Sequence, residues 1–409
     1  MALLVKPVFL GAFLLVRSLV VVAAIETRTS RPVSWLNITL SVPRSRLAAA
    51  AIGDLIIFAG GRDSAGNPSD VVDVFDLGNN GARTTLSLSV ARDFDGGQNM
   101  GASCLGKAFF GGGAAARQAS AVDIFNGATR TFDPTPPPLS AARSFLATVA
   151  LPSAGLVLFG GGELAEDEKH PSASKDTAIV DVWDVRRDRW RPMPARLSVP
   201  RKKLAAAAVE NGSVAVFAGG FTSDVAGNNC ESPSLRPGMG CYRNTIDVYD
   251  ARTGLWSVAA PLSEGRMRLA AASVDGCAVF AGGEVNTTHG DASGIVDIIC
   301  ADARSSTSAP LRFTRTVAEL SARRYELAGV SLGSRAYFAG GNPGVGHGDP
   351  SAPGRIDIFD SSTATWSVLT LPTPRDRLAA AAIAARGIVC FGGGEGGGVT
   401  HDVVECYQE

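Results

Sequence analysis

Arginine is the side chain whose recurrence first suggests chemistry. Arg44, Arg92, Arg143, Arg201, Arg266, Arg323 and Arg375 each precede a short run of small apolar residues, and Arg46, Lys203, Arg268 and Arg377 add further cations. A guanidinium binds a carboxylate through two parallel hydrogen bonds, so a converging set would favour acidic ligands. An element repeated this regularly serves the fold more often than a site. Glu163, Glu284 and Glu395 follow glycine pairs and are placed to neutralise nearby arginines. The four histidines, His170, His289, His347 and His401, lie between strand patterns, and His289-Gly290-Asp291 matches His347-Gly348-Asp349. Imidazoles brought together could hold a metal. Loop histidines without rigid spacing are ordinarily just solvated, so no metal site is expected.

Seven cysteines supply the other reactive groups. Cys230 and Cys241 flank the longest insertion and are expected to close it as a disulfide. Cys277 with Cys300 and Cys390 with Cys406 fit one antiparallel register, placing each pair opposite one another in a hairpin. Buried free thiols are the alternative for those four. Cys104 is left unpaired. No two cysteines have the close spacing that zinc sites use.

The elements that must position these groups repeat. Phenylalanine, then alanine or glycine, then a glycine pair occurs seven times, from Phe58-Ala59-Gly60-Gly61 to Phe391-Gly392-Gly393-Gly394, with copies about 55 residues apart. After each comes an apolar-acid-apolar strand, from Val72-Asp73-Val74-Phe75 to Val404-Glu405-Cys406-Tyr407. Such alternation is a strand signature. Trp190, Trp256 and Trp366 then open a further strand. Phe132 stands there in the second unit, while the first and fifth have no aromatic and are expected to be less regular. The strand acids read as structural hydrogen-bonding groups.

A glycine doublet, an acid-bearing strand, a turn and a tryptophan, repeated in register over residues 33–409, resemble the kelch repeat, whose period is roughly 50 residues. The resemblance implies an all-β, seven-bladed β-propeller, with four strands per blade lettered a to d outward from the axis. Strand a is read from segments such as 47–52 despite their helix-favouring alanines, because small side chains suit strands crowding an axis. Repeat cores are placed at 41–88, 89–139, 140–197, 198–262, 263–320, 321–371 and 372–409, the last completed by 33–40. That N-terminal strand, with Trp35, should pair with residues 403–407 and close the ring.

Composition narrows the function classes. A formal net charge of -1 gives no global field for nucleic acid or anionic membranes. Residues 1–24 read as a signal peptide cut near Ala24, with a membrane anchor through 7–24 as the alternative, and 25–32 as a short leader. Asn37, Asn211 and Asn286 head glycosylation sequons that agree with passage through the secretory pathway.

Propellers resembling this one commonly recognise partners on the face carrying the Arg connections and the loops after the glycine doublets. The expectation is therefore a secreted or lumenal monomeric recognition scaffold. It would bind a protein or glycan there, using Arg44, Arg92, Arg143, Arg201, Arg266, Arg323, Arg375, His289, His347 and His401, with no cofactor and no catalytic residues assigned. The alternative is a carbohydrate-active enzyme, closer to sialic-acid epimerases than to copper radical oxidases. The latter need paired Tyr and His ligands with a Cys crosslinked to Tyr.

Overall fold

The computed structural model describes residues 34–409 except 95–99, 116–118, 165–175, 193–194, 224–231, 234–239, 287–289, 303–310 and 346–348. The expected signal peptide and leader lie outside the described residues. Among those described, no helix is long and apolar enough to cross a membrane.

Seven antiparallel sheets form a β-propeller. Blade one orders its strands as Ala48–Ile52, Leu55–Ala59, Val71–Asp76 and Ala82–Ser87, from the axis outward. Blade seven takes three strands from the C-terminus, Ala379–Ile383, Ile388–Gly392 and Val403–Gln408. Its fourth is Ser34–Thr39, paired from Ser34 opposite Gln408 to Thr39 opposite Val403. Closure by the N-terminal strand is therefore present, and Trp35 packs against Tyr407 with ring centroids 5.8 Å apart.

The alanine runs are strands, as read. They surround an axial channel of about 280 Å3 whose lining is almost wholly Ala, Gly, Ser, Thr and Val. Larger side chains would collide where seven strands converge. Phenylalanines from the second strands fill the space between blades: Phe58, Phe159, Phe217, Phe280, Phe338 and Phe391 are fully buried.

The glycine doublets stitch blade to blade. In blade five, Gly282 and Gly283 both adopt positive φ, and a Cβ on Gly282 would lie 2.4 Å from the Arg324 carbonyl of blade six. That close approach lets the Gly283 amide donate to the same carbonyl at 3.0 Å. The bond recurs around the ring and ends with Gly394 donating to Arg44 at 2.9 Å, across the closure.

Blades one and five are not less regular. Their outer strands run six and seven residues, with Arg83 opposite Phe75 and Arg315 opposite Ile299 where other blades pair aromatics. Blade three instead splits its outer strand into Arg189–Trp190 and Ala195–Arg196.

Cys277 lies opposite Cys300 and Cys390 opposite Cys406, and both pairs are disulfides. Cys241 is disulfide-bonded, while Cys230 lies outside the described residues. Cys104 is a buried free thiol whose pKa burial pushes up to about 11.

Candidate functional site

The connection into strand a of every blade carries an arginine that turns inward. Arg44, Arg92, Arg143, Arg201, Arg266, Arg324 and Arg375 have no exposed surface. Each pairs with the acid on the third strand of its own blade: Arg92 with Asp123 at 2.6 Å, Arg143 with Asp181 at 2.8 Å, and Arg201 with Asp247 at 2.7 Å. Arg266 pairs with Asp297 at 2.7 Å, Arg375 with Glu405 at 2.6 Å, and the pairs Arg44–Asp73 and Arg324–Asp357 complete the set.

These guanidiniums also bind backbone. Arg143 reaches the Phe159 carbonyl at 2.9 Å and Arg324 that of Phe338 at 3.0 Å. Ser89, Ser198 and Ser321, three residues before their arginines, donate backbone N–H to the same acids at 2.8–2.9 Å. Blade seven compensates for its longer Glu405 by using the Thr373 hydroxyl at 2.8 Å. Burial lowers the arginine pKa values, with the paired acid opposing that shift. Buried and paired in this way, the seven do not form a ligand-facing guanidinium ring.

Arg323 is not a member of that set. Its neighbour Arg324 takes the buried position, and Arg323 is exposed.

A second ring encircles the channel mouth two residues farther along. Backbone bonds run from blade to blade: Arg268 to Lys203 at 3.0 Å, Glu326 to Arg268 at 3.2 Å, Arg377 to Glu326 at 3.1 Å, and Arg46 to Arg377 at 2.9 Å. Left-handed φ at these residues turns each amide toward its neighbour. Glu326 is the one acid among these five residues, and it stands between Arg268 and Arg377. Arg268 contacts Glu284 at 3.2 Å and Glu326 at 3.0 Å; Arg377 contacts Glu326 at 2.9 Å and Glu395 at 2.6 Å. Glu284 and Glu395 thus neutralise cations of their own blades, as expected. Glu163 instead reaches Lys202 of blade four, at 2.7 Å. Beside this ladder, burial raises the Asp376 carboxyl to about 6, against the pull of Arg377.

A cleft of about 740 Å3 opens on this face between blades five and six. The loops that follow the glycine doublets share the face with the Arg connections, as the bridges Met267–Glu284 and Tyr325–Asn342 show. Asp291 and Asp349, the acids of the two His-Gly-Asp strings, both line the cleft. Asp349 binds Ser351 and Arg355, and Glu264 accepts from Ser293 at 2.8 Å. Arg323 and Glu319 are exposed in the cleft, with no ionic partner among the described residues. Gly294 leaves room for Arg323, since a Cβ there would lie 3.2 Å from its Cγ. The juxtaposition of these loops was not visible in the sequence.

His170, His289 and His347 lie outside the described residues. His401 is half-buried; its backbone bonds Gly394 and Arg44, and its Nε2 is buried without a hydrogen-bond partner among the described residues. Also among those residues, no three His, Cys, Asp or Glu side chains gather where a metal ion could sit. Three of the five tyrosines are engaged away from the cleft: Tyr249 with Arg191, Tyr337 with Glu409, and Tyr242 in packing on Phe221. Of the sequons, Asn37 and Asn211 are exposed; Asn286 lies in a short strand.

No family model matches the chain, and no curated protein matches it. Among solved structures, a fungal alcohol oxidase of the AA5 family in complex with copper superposes with a TM-score of 0.63 at 15% identity. The match covers 92% of this chain and 76% of that one, and it establishes the likeness as one of fold.

Proposed function

We propose that this chain is a kelch-type recognition scaffold of the secretory pathway, which binds a protein or glycan on its loop face at the cleft between blades five and six. The observation that carries this reading is the division of charge on that face. The seven repeated arginines are consumed inside the blades, whereas Arg323 and Glu319 remain exposed across an open cleft. Two disulfides among the described residues support an oxidising compartment. Concave sites with a few convergent polar groups on a rigid frame are the usual form of ligand pockets.

A carbohydrate-active enzyme is the second reading. It draws on Asp376, whose carboxyl titrates near the pH range of general acid-base work beside the channel mouth.

The test is capture of secreted proteins and binding to a glycan array by the wild type and by an Arg323→Gln, Glu319→Gln variant. A ligand retained by the wild type and released by the variant, at equal melting temperature, supports the cleft. Equal retention by both overturns it. Conversion of a retained sugar, lost in Asp376→Asn, moves the conclusion to the enzyme.

A further inference from the structure

We infer a second binding surface on the opposite, outer corner of blade three, suited to a sulfated polysaccharide. The hairpin joining that blade's third and fourth strands reads Arg186-Arg187-Asp188-Arg189-Trp190-Arg191, four guanidiniums in six residues of a chain whose formal net charge is -1.

The hairpin leaves Arg186, Arg187 and Arg189 exposed and Arg191 half-buried. Arg189 lies directly opposite Asp184, and Arg191 donates its backbone N–H to Val182, two residues back on the same strand. Cross-strand partners share a face, so Arg189 and Arg191 stand on one side, about 7 Å apart along the strand. Arg187 joins them through its 2.7 Å contact with Asp184 and is 65% exposed. Asp184 pairs with Arg187 and lies within electrostatic reach of Arg191, while Arg189 has no ionic partner among the described residues. The other nearby acid, Asp188, is held by Lys107 at 3.1 Å. Arg186 spends its hydrogen bonds on the Ala154 and Ser153 carbonyls and has no ionic partner among the described residues, and Arg191 is held by the Tyr249 hydroxyl at 2.7 Å. Trp190 packs edge-on against Trp183 and anchors the hairpin to Pro137 through its indole N–H.

The result is a rigid surplus of positive charge at a corner, with guanidiniums repeated at a spacing that an anion-bearing polymer can follow. Clustered arginines are a recognised polyanion-binding pattern. In the oxidising compartment that the disulfides imply, the fitting polymer is an anionic glycan rather than a nucleic acid. A strand corner offers little flat area to a membrane.

The experiment measures binding of the full chain to dextran sulfate, neutral dextran, single-stranded DNA and phosphatidylserine vesicles at about 0.1 M salt, where charge contacts beyond about 10 Å are screened. Dextran sulfate should bind more tightly than the other three. Arg187→Glu with Arg189→Glu should weaken that binding at least tenfold at unchanged melting temperature. Arg312→Glu with Arg315→Glu, an equal change of charge on the rim of blade five, should alter it less than twofold. Equal loss in both variants would show a net-charge effect and overturn the proposal. So would undiminished binding by the blade-three variant, stronger binding to vesicles or DNA, or no binding to dextran sulfate by the wild type.

Discussion

Arg266 donates to Asp297 at 2.7 Å inside blade five, with both side chains at zero exposure. The same carboxylate accepts the backbone N–H and hydroxyl of Ser263, both at 3.0 Å, so it gathers one charged and two neutral donors. A buried pair satisfied this way joins the segment leading into strand a to the third strand of its blade. Removing one partner leaves an uncompensated buried charge, which costs about 3–5 kcal/mol, whereas replacing both with apolar groups is often close to neutral. Arg266→Met is therefore expected to lower stability by about that amount, and Asp297→Leu likewise. The double variant should lose far less than their sum. Denaturant unfolding of the four proteins checks it.

Closure predicts a second outcome. Deleting residues 34–39 removes six paired residues and the contact of Trp35 with Tyr407, and leaves the strand Val403–Gln408 with an open edge. The melting temperature should fall sharply, and self-association should rise because that edge can pair with another chain. An unchanged melting temperature by calorimetry would contradict closure by this strand.

Asp376 gives a pH dependence with a defined sign. Its carboxyl is raised to about 6 by burial, against about 4 in an unfolded chain. Between those values the folded state holds the proton more tightly, so this group's contribution to stability falls as pH rises from about 4 to about 6 and is level above. Asp376→Asn removes that dependence. Melting temperatures of the wild type relative to the variant should decline across that window and then flatten. A constant difference from pH 4 to 7 would refute the shift.

The disulfides predict a thiol count. With seven cysteines, two disulfides among the described residues, a bonded Cys241 and a free, buried Cys104, the unreduced chain should show one reactive thiol in denaturant. Native protein should react there slowly, because burial keeps the Cys104 thiol protonated. Three thiols in denaturant would mean that one of these bonds is open.

The ring was legible because a seven-fold period multiplies weak local signals, and because only glycine tolerates the doublet's contacts with the next blade. The register of both described disulfides followed from the strand repeat alone. The buried arginine of blade six was misread because Arg323 and Arg324 are adjacent. The repeated spacing of Ser three residues before and Leu three residues after the arginine, here Ser321 and Leu327, selects Arg324. That these arginines face inward was hidden, since a guanidinium near a strand acid reads the same whether buried or solvated. The cleft was not legible because Glu264 and Asp291 of blade five meet Arg323 and Asp349 of blade six only once the two blades are set side by side.

The neighbouring pair Arg323 and Arg324 offers the most direct test of the account's division between scaffold and site. The measurement is the unfolding free energy of Arg323→Ala and Arg324→Ala under the same conditions. Arg324→Ala should lose about 3–5 kcal/mol, because Asp357 is left buried without its charged partner, while Arg323→Ala should remain within about 0.5 kcal/mol of the wild type. A stable Arg324→Ala protein, or an Arg323→Ala protein destabilised to the same degree, would contradict it.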